Sequence, residues 1–223
     1  MKIFFNMTKY ALITDFDGTI TTIDIGNYLC LFYGISTIAK IEQAYQSKSD
    51  ARVWMRQHFG PVKTTPQEFE AAVLGKAVVR EGFRDLCLYA KQNNIPFEVA
   101  SGGLDIYINP VLKKFDCTQI KVLSAKAEIK ACGIDVSFDD YKGLTMEGFK
   151  KARVMHYKQQ GYKVIFFGDG PGDYDAAVCA DIIYATSRLE NILKQKGIKY
   201  YPFKDYTEAL KIVRGENVSV SAV

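Results

Sequence analysis

The chain has 223 residues, 48% hydrophobic and 24% charged, with a formal net charge of +4. That is room for one sizeable core, or a core plus a smaller inserted module, with the profile of an ordinary water-soluble globular protein. The charge is too mild to argue for nucleic acid, though it does not repel a small anionic substrate.

Five scattered cysteines and only two histidines, with no C-x-x-C pair, argue against a disulfide framework or a zinc site. They point to a reducing cytoplasm. No apolar run approaches the roughly 18 residues of a membrane span. The start "MKIFFNMTKY" is too short and polar to read as a signal peptide, and Met7 is an alternative start that keeps the first strand whole.

In chain order, "YALIT" (10–14) reads as a buried strand. Residues 22–79 then hold no convincing strand. "IGNYLCLFYGISTIAKIEQAYQ" carries apolar residues at helical spacing, broken near Gly34, and "ARVWMRQHF" is a second helix stopped near Pro61. "TPQEFEAAVLGKAVV" opens on a capping box, with Thr65, Pro66 at the first helical position and Glu68 three residues after Thr65.

"REGFRDLCLYAKQNN" is an amphipathic helix stopped at Asn93-Asn94, followed by a strand at 95–100. Residues 119–140 alternate apolar and polar around Cys132-Gly133 and read as a β-hairpin. Helices ending at Gly161 and Gly197 alternate with strands at 162–167, 181–185 and 199–203. The expected architecture is α/β: a Rossmann-like parallel sheet with an inserted helical cap and a small β-hairpin. The expected divisions are a core of 1–21 and 80–213, a cap of 22–79, and a frayed tail of 214–223.

In open parallel sheets, ligands bind at the carboxyl ends of the strands. Three of the expected strands end in "DFDGT", "SGG" and "GDGPGD". Asp15, Asp17, Asp169 and Asp173 therefore share one rim. Two unit charges 4 Å apart repel by about 1 kcal/mol in water and about 4 at a protein-surface dielectric, so a counter-ion is implied. Oxygen ligands without histidine or thiolate favour Mg²⁺. Gly102 and Gly103 open backbone N–H groups to an anion, and Ser101 supplies a hydroxyl. A carboxylate can attack phosphorus, a second can protonate the leaving oxygen, and Lys150 or Lys151 can supply the positive charge.

In order and spacing, these elements resemble the haloacid dehalogenase superfamily of phosphatases. The resemblance spans about residues 10–213, over the motifs D-x-D-x-T, S/T, K and G-D-x-x-x-D. It implies Asp15 as nucleophile and Asp17 as general acid and base, with the backbone carbonyl of Asp17 also on Mg²⁺. Thr19 would steady Asp17 within the phosphate site. Ser101, Gly102 and a lysine would bind the phosphoryl group. Asp169 would bind the metal and Asp173 would support it. For the lysine, the K-x-x-aliphatic-aliphatic frame of "KARVM" selects Lys151, with Lys150 as fallback. Because dehalogenases of the superfamily lack the second aspartate, Asp17 favours phosphate chemistry: an alkoxide needs a proton to leave and a halide does not.

The helical insert resembles the cap of the phosphoserine phosphatase-like branch. "REGFRDLCLYAKQNNIPFEVASGGLDIYINPVL" and "YYPFKDYTEALKIV" are similar to the 2-hydroxy-3-keto-5-methylthiopentenyl-1-phosphate phosphatases of methionine salvage. That implies Asp24 and Arg56 as cap residues facing the substrate, a small phosphorylated metabolite. No nucleic-acid or membrane partner is expected, and the oligomeric state, monomer or homodimer, stays open. The alternatives are a phosphoserine phosphatase, a phosphoryl transferase or mutase, and a non-catalytic receiver-like phosphate-binding domain.

Overall fold

The β-branched and apolar run Tyr10–Thr14 forms strand β1, with Ala11 to Thr14 fully buried. In a computed structural model describing residues 8–47, 50–217 and 222–223, it lies at the centre of a seven-stranded sheet. Met7 lies outside the described residues. The strands are β1, β2 (Phe97–Leu104), β3 (Lys121–Lys130), β4 (Gly133–Ser137), β5 (Lys163–Gly168), β6 (Ile182–Ala185) and β7 (Tyr201–Pro202). Their order is β4-β3-β2-β1-β5-β6-β7, and every pair is parallel except β3 with β4.

Four helices follow β1: α1 (Ile25–Phe32), α2 (Ile38–Ser47), α3 (Ala51–Phe59) and α4 (Pro66–Lys76). The capping box at Thr65 and Glu68 is formed. The two chains leading into and out of this insertion pair with each other. Thr21 bridges Val79, Thr22 N donates to Val78 O at 2.9 Å, and Arg80 N donates to Ile20 O at 2.9 Å. The remaining helices are α5 (Phe83–Gln92), α6 (Asp105–Lys114), α7 (Met146–Gln159), α8 (Tyr174–Ala177), α9 (Ser187–Gln195) and α10 (Thr207–Arg214). One apolar cluster joins the insertion to one face of the sheet, from Leu29 and Phe69 to Phe83 and Tyr107. A second packs α7 and α9 on the other face around Ile13, Phe166 and Leu193. Among the described residues no helix is long and apolar enough to cross a membrane.

The structure refines the hairpin expectation. β3 is a full member of the parallel sheet through Glu98↔Lys121 and Val99↔Val122, and only its second half pairs with β4. Its alternation of half-exposed residues hid the membership, because β3 is covered unevenly by helices. Of the tail expected at 214–223, residues 218–221 lie outside the described residues. Arg214 still belongs to α10, and Val223 exchanges backbone hydrogen bonds of 2.8 and 3.2 Å with Tyr200.

Candidate active site

β1 delivers "DFDGT" at its carboxyl end. Phe16 is fully buried, and its ring lies 6.0 Å from that of Tyr107. Asp15 Oδ1 accepts from Phe16 N at 2.7 Å. Asp17 Oδ1 accepts from Ile25 N at 2.8 Å, at the start of α1, and its Oδ2 accepts from the Tyr107 hydroxyl at 2.7 Å. Gly18 then turns with φ +69°, and a Cβ there would stand 2.4 Å from Asp169 Oδ2. No other residue type fits at that position without displacing the carboxylate.

"SGG" is a bulge inside β2 rather than a turn beyond it. The β2–β3 register moves from Ala100↔Leu123 to Leu104↔Ala125, so four residues on β2 span two on β3. Ser101 is buried, its Oγ accepts from Gly103 N at 3.0 Å, and its carbonyl accepts from the Tyr141 hydroxyl at 3.1 Å. Gly102 lies under Met146, and a Cβ on Gly103 would collide with the Tyr107 hydroxyl at 2.1 Å. The glycines thus admit Met146 and Tyr107 as well as any anion.

β5 ends at Gly168, and a single 3-10 turn over Pro171–Asp173 folds "GDGPGD" back on itself. Asp173 Oδ2 accepts from Asp169 N at 3.1 Å and Gly170 N at 3.0 Å. Carboxylate oxygens of Asp15, Asp169 and Asp173 all lie within 4.8 Å of one another.

The lysine at this cluster is Lys150, which corrects the choice of Lys151. Lys150 Nζ stands 3.0 Å from Asp15 Oδ2 and 2.7 Å from Asp173 Oδ1, and the side chain is 2% exposed. Lys151 is exposed. The reason is helical geometry: Phe149, Lys150 and Val154 form the buried stripe of α7, and one residue further on turns the side chain to solvent.

The other expected residues divide. Thr19 is buried, but its hydroxyl has no hydrogen-bond partner, and Asp17 is held by Ile25 and Tyr107 instead. Asp24 caps α1 and accepts from Asn27 N at 2.6 Å, Asn27 Nδ2 at 2.7 Å and the Tyr45 hydroxyl at 3.0 Å. It is close enough to Asp17 to act on its charge. Arg56 is committed elsewhere, its Nε donating to Val136 O at 3.1 Å and its guanidinium 5.0 Å above the Phe138 ring. Two contributors escaped the sequence reading. Tyr107 lies inside a quoted stretch, yet nothing in its spacing marks it. Arg80 donates to the carbonyls of Gly18 at 2.8 Å and Thr19 at 2.9 Å, clamping the first turn from the far end of the insertion.

The charges are unbalanced. Burial pushes the Asp15 carboxyl up to about 6, with Lys150 pulling against it and Asp173 adding to it. Asp17 is raised well above the usual range by burial, then by Asp24 and Asp15. Asp169 is raised strongly too, by burial, Asp173 and Asp15. Burial would lower Lys150, but Asp15 and Asp173 override it and hold the ammonium charged. One lysine thus faces three converging carboxylates, and the oxygen-only donor set fits a hard divalent cation such as Mg²⁺.

The family model for haloacid dehalogenase-like hydrolases matches residues 12–177. The chain belongs to the haloacid dehalogenase-like hydrolases. It is 29% identical to the 2-hydroxy-3-keto-5-methylthiopentenyl-1-phosphate phosphatase of Lysinibacillus sphaericus, covering 92% of this chain and 94% of that one. It is 25% identical to a polyol phosphate phosphatase of Saccharomyces cerevisiae, covering 92% of each. The fold matches a phosphoserine phosphatase captured as a phospho-aspartyl intermediate analogue, with a TM-score of 0.70, 21% identity, and coverage of 92% of this chain and 99% of that one. The protein is a phosphatase of the haloacid dehalogenase-like family.

Proposed function

We propose that the protein is a Mg²⁺-dependent phosphomonoesterase for a small cytoplasmic metabolite, working through an aspartyl-phosphate on Asp15. The observation that carries this reading is Lys150 Nζ, held 3.0 Å from Asp15 Oδ2 and 2.7 Å from Asp173 Oδ1. It keeps the attacking carboxylate ionised and offers a cation to the incoming phosphoryl oxygens.

An Asp15 oxygen attacks phosphorus, and the bond to the ester oxygen breaks. The leaving oxygen takes the proton of Asp17, whose pKa burial, Asp24 and Asp15 raise in the direction that task needs. Water then attacks the phosphorus of the acyl phosphate, Asp17 takes back a proton, and Asp15 is released with inorganic phosphate. Ser101, Gly102 and Lys150 bind the phosphoryl group. Asp15, Asp169 and the Asp17 carbonyl would hold Mg²⁺ with Asp173 in support. When bound, the ion offsets the negative charge of carboxylates and phosphate in the transition state.

Residues 22–79 serve as a cap over this rim, with Asp24 facing the substrate. The likeness to methionine-salvage phosphatases supports 2-hydroxy-3-keto-5-methylthiopentenyl 1-phosphate as substrate. Phosphoserine ranks second, because Arg56, the cation expected for its carboxylate, is engaged by Val136 and Phe138. The test is phosphate release from a panel of esters holding both compounds, with Mg²⁺ and with a chelator. Metal-dependent turnover of one ester is expected. No release from any ester by Mg²⁺-loaded protein overturns the reading, and transfer to a second hydroxyl makes the protein a transferase.

A further inference from the structure

Arg188 is used by none of the steps above, yet it joins three parts of the molecule. It is the second residue of α9, whose start is tied to the metal-side turn. Leu189 N donates to Asp169 O at 2.8 Å, and Thr186 N donates to Gly168 O at 3.2 Å. Ser187 beside it has φ +55°, a left-handed conformation that a serine seldom adopts. From there the guanidinium reaches across to α2 of the insertion. It pairs with the Glu42 carboxylate and lies 4.0 Å above the Tyr45 ring.

Tyr45 passes the contact on. Its hydroxyl donates to Asp24 Oδ2 at 3.0 Å and accepts from Asn27 Nδ2 at 3.2 Å. Burial pushes the Asp24 carboxyl up, and Asn27, Tyr45 and the positive field of Arg188 draw it back. The electrostatic reach of Asp24 extends to Asp17 and Asp169. A path therefore runs from the Asp169 turn through Arg188, Tyr45 and Asp24 back to the Asp17 carboxyl.

We propose that Arg188 is a positioning residue that latches α2 over the mouth of the site and so holds Asp24 and Tyr45 against the leaving group of the substrate. Tyr45 already gives its one proton to Asp24, so what the pair offers is carboxylate oxygen, and the group it meets is a hydrogen-bond donor such as a hydroxyl. The proposal rests on the phosphomonoesterase reading for its substrate and on the side-chain geometry for the latch itself. A planar guanidinium serves both contacts at once, the carboxylate with its edge and the ring with its face. A lysine can keep only the first.

The test compares wild type with Arg188→Ala, Arg188→Lys, Arg188→Glu and the exchange Glu42→Arg/Arg188→Glu. Hydrogen exchange of residues 38–47 needs no turnover, so it separates failure of the latch from failure of the hydrolase reading. Exchange there is expected to rise in Arg188→Ala and to fall back in the exchange pair relative to Arg188→Glu. In kinetics, the kcat/KM for glycerol 3-phosphate divided by that for acetyl phosphate is expected to fall about tenfold in Arg188→Ala, the combined weight of an ion pair and a cation–ring contact. Arg188→Lys should recover part of it. Unchanged exchange in α2, or equal losses on both esters, overturns the proposal.

Discussion

The Tyr107 hydroxyl donates a 2.7 Å hydrogen bond to Asp17 Oδ2. Tyr107 comes from α6 and Asp17 from the turn after β1, so the contact ties the Asp17 carboxyl to the helix that follows β2. Ile25 N holds the other oxygen. Tyr107→Phe removes one bond and leaves the ring against Phe16. An ordinary hydrogen bond is worth about 0.5–1.5 kcal/mol net. The expected result is a fall in kcat of about twofold to tenfold. The melting temperature should fall only slightly. Initial rates and thermal melts of the same preparation check it.

The two adjacent lysines separate cleanly. Lys150→Met leaves Asp15 and Asp173 buried without their counter-charge, a change that costs about 3–5 kcal/mol when a buried pair is broken. That variant should lose activity and unfold at markedly lower denaturant. Lys151→Met changes an exposed side chain, so its stability should stay within about 0.5 kcal/mol of wild type and its rate close to wild type. Denaturant unfolding and rates on the two variants decide between them.

The lysine pair also shows where sequence reading stops. Strand-end chemistry was legible because "DFDGT", "SGG" and "GDGPGD" each need a local backbone shape, and local shape is written in neighbouring residues. Lys150 against Lys151 is a question of helical phase. The K-x-x-aliphatic-aliphatic frame points to Lys151, whereas the stripe of Phe149, Lys150 and Val154 turns Lys150 inward. Tyr107, Arg80 and the engagement of Arg56 by Val136 are long-range contacts set by packing between elements. Only the assembled fold states them. The same holds for β3, whose membership of the sheet depends on β2 being beside it.

Glu98 carries a pH prediction away from the site. It is 1% exposed on β2 and is bonded by Arg153 at 2.9 and 3.0 Å, by the Tyr157 hydroxyl at 2.7 Å and by Lys121 at 3.0 Å. Burial alone would raise its pKa, but Arg153, Tyr157 and Lys121 together hold it below the usual glutamate range. A carboxyl depressed in the folded state stabilises fully above its unfolded pKa of about 4.3, and the contribution is lost as pH falls through the lower folded value. Glu98→Gln should therefore be less stable than wild type at neutral pH. The gap should begin to close below about pH 4.3. Urea unfolding of both proteins across that range measures it.

The charge balance at Asp15, Asp169 and Asp173 makes metal removal the sharpest solution test. With one lysine against three converging carboxylates, the apo protein carries an uncompensated negative charge in a mostly buried cleft. Mg²⁺ that binds the folded chain alone stabilises it by about 2.7 kcal/mol at a hundredfold excess over Kd. Adding Mg²⁺ to chelated protein should raise the melting temperature, and Asp169→Asn should blunt that rise. Because burial, Asp173 and Asp15 raise the Asp169 pKa well above the usual carboxylate range, the Mg²⁺-induced rise should shrink as pH falls, protons then competing for the same oxygens. Melting curves with and without Mg²⁺, run across pH on both proteins, check it. A rise of equal size in wild type and Asp169→Asn would place the ion elsewhere.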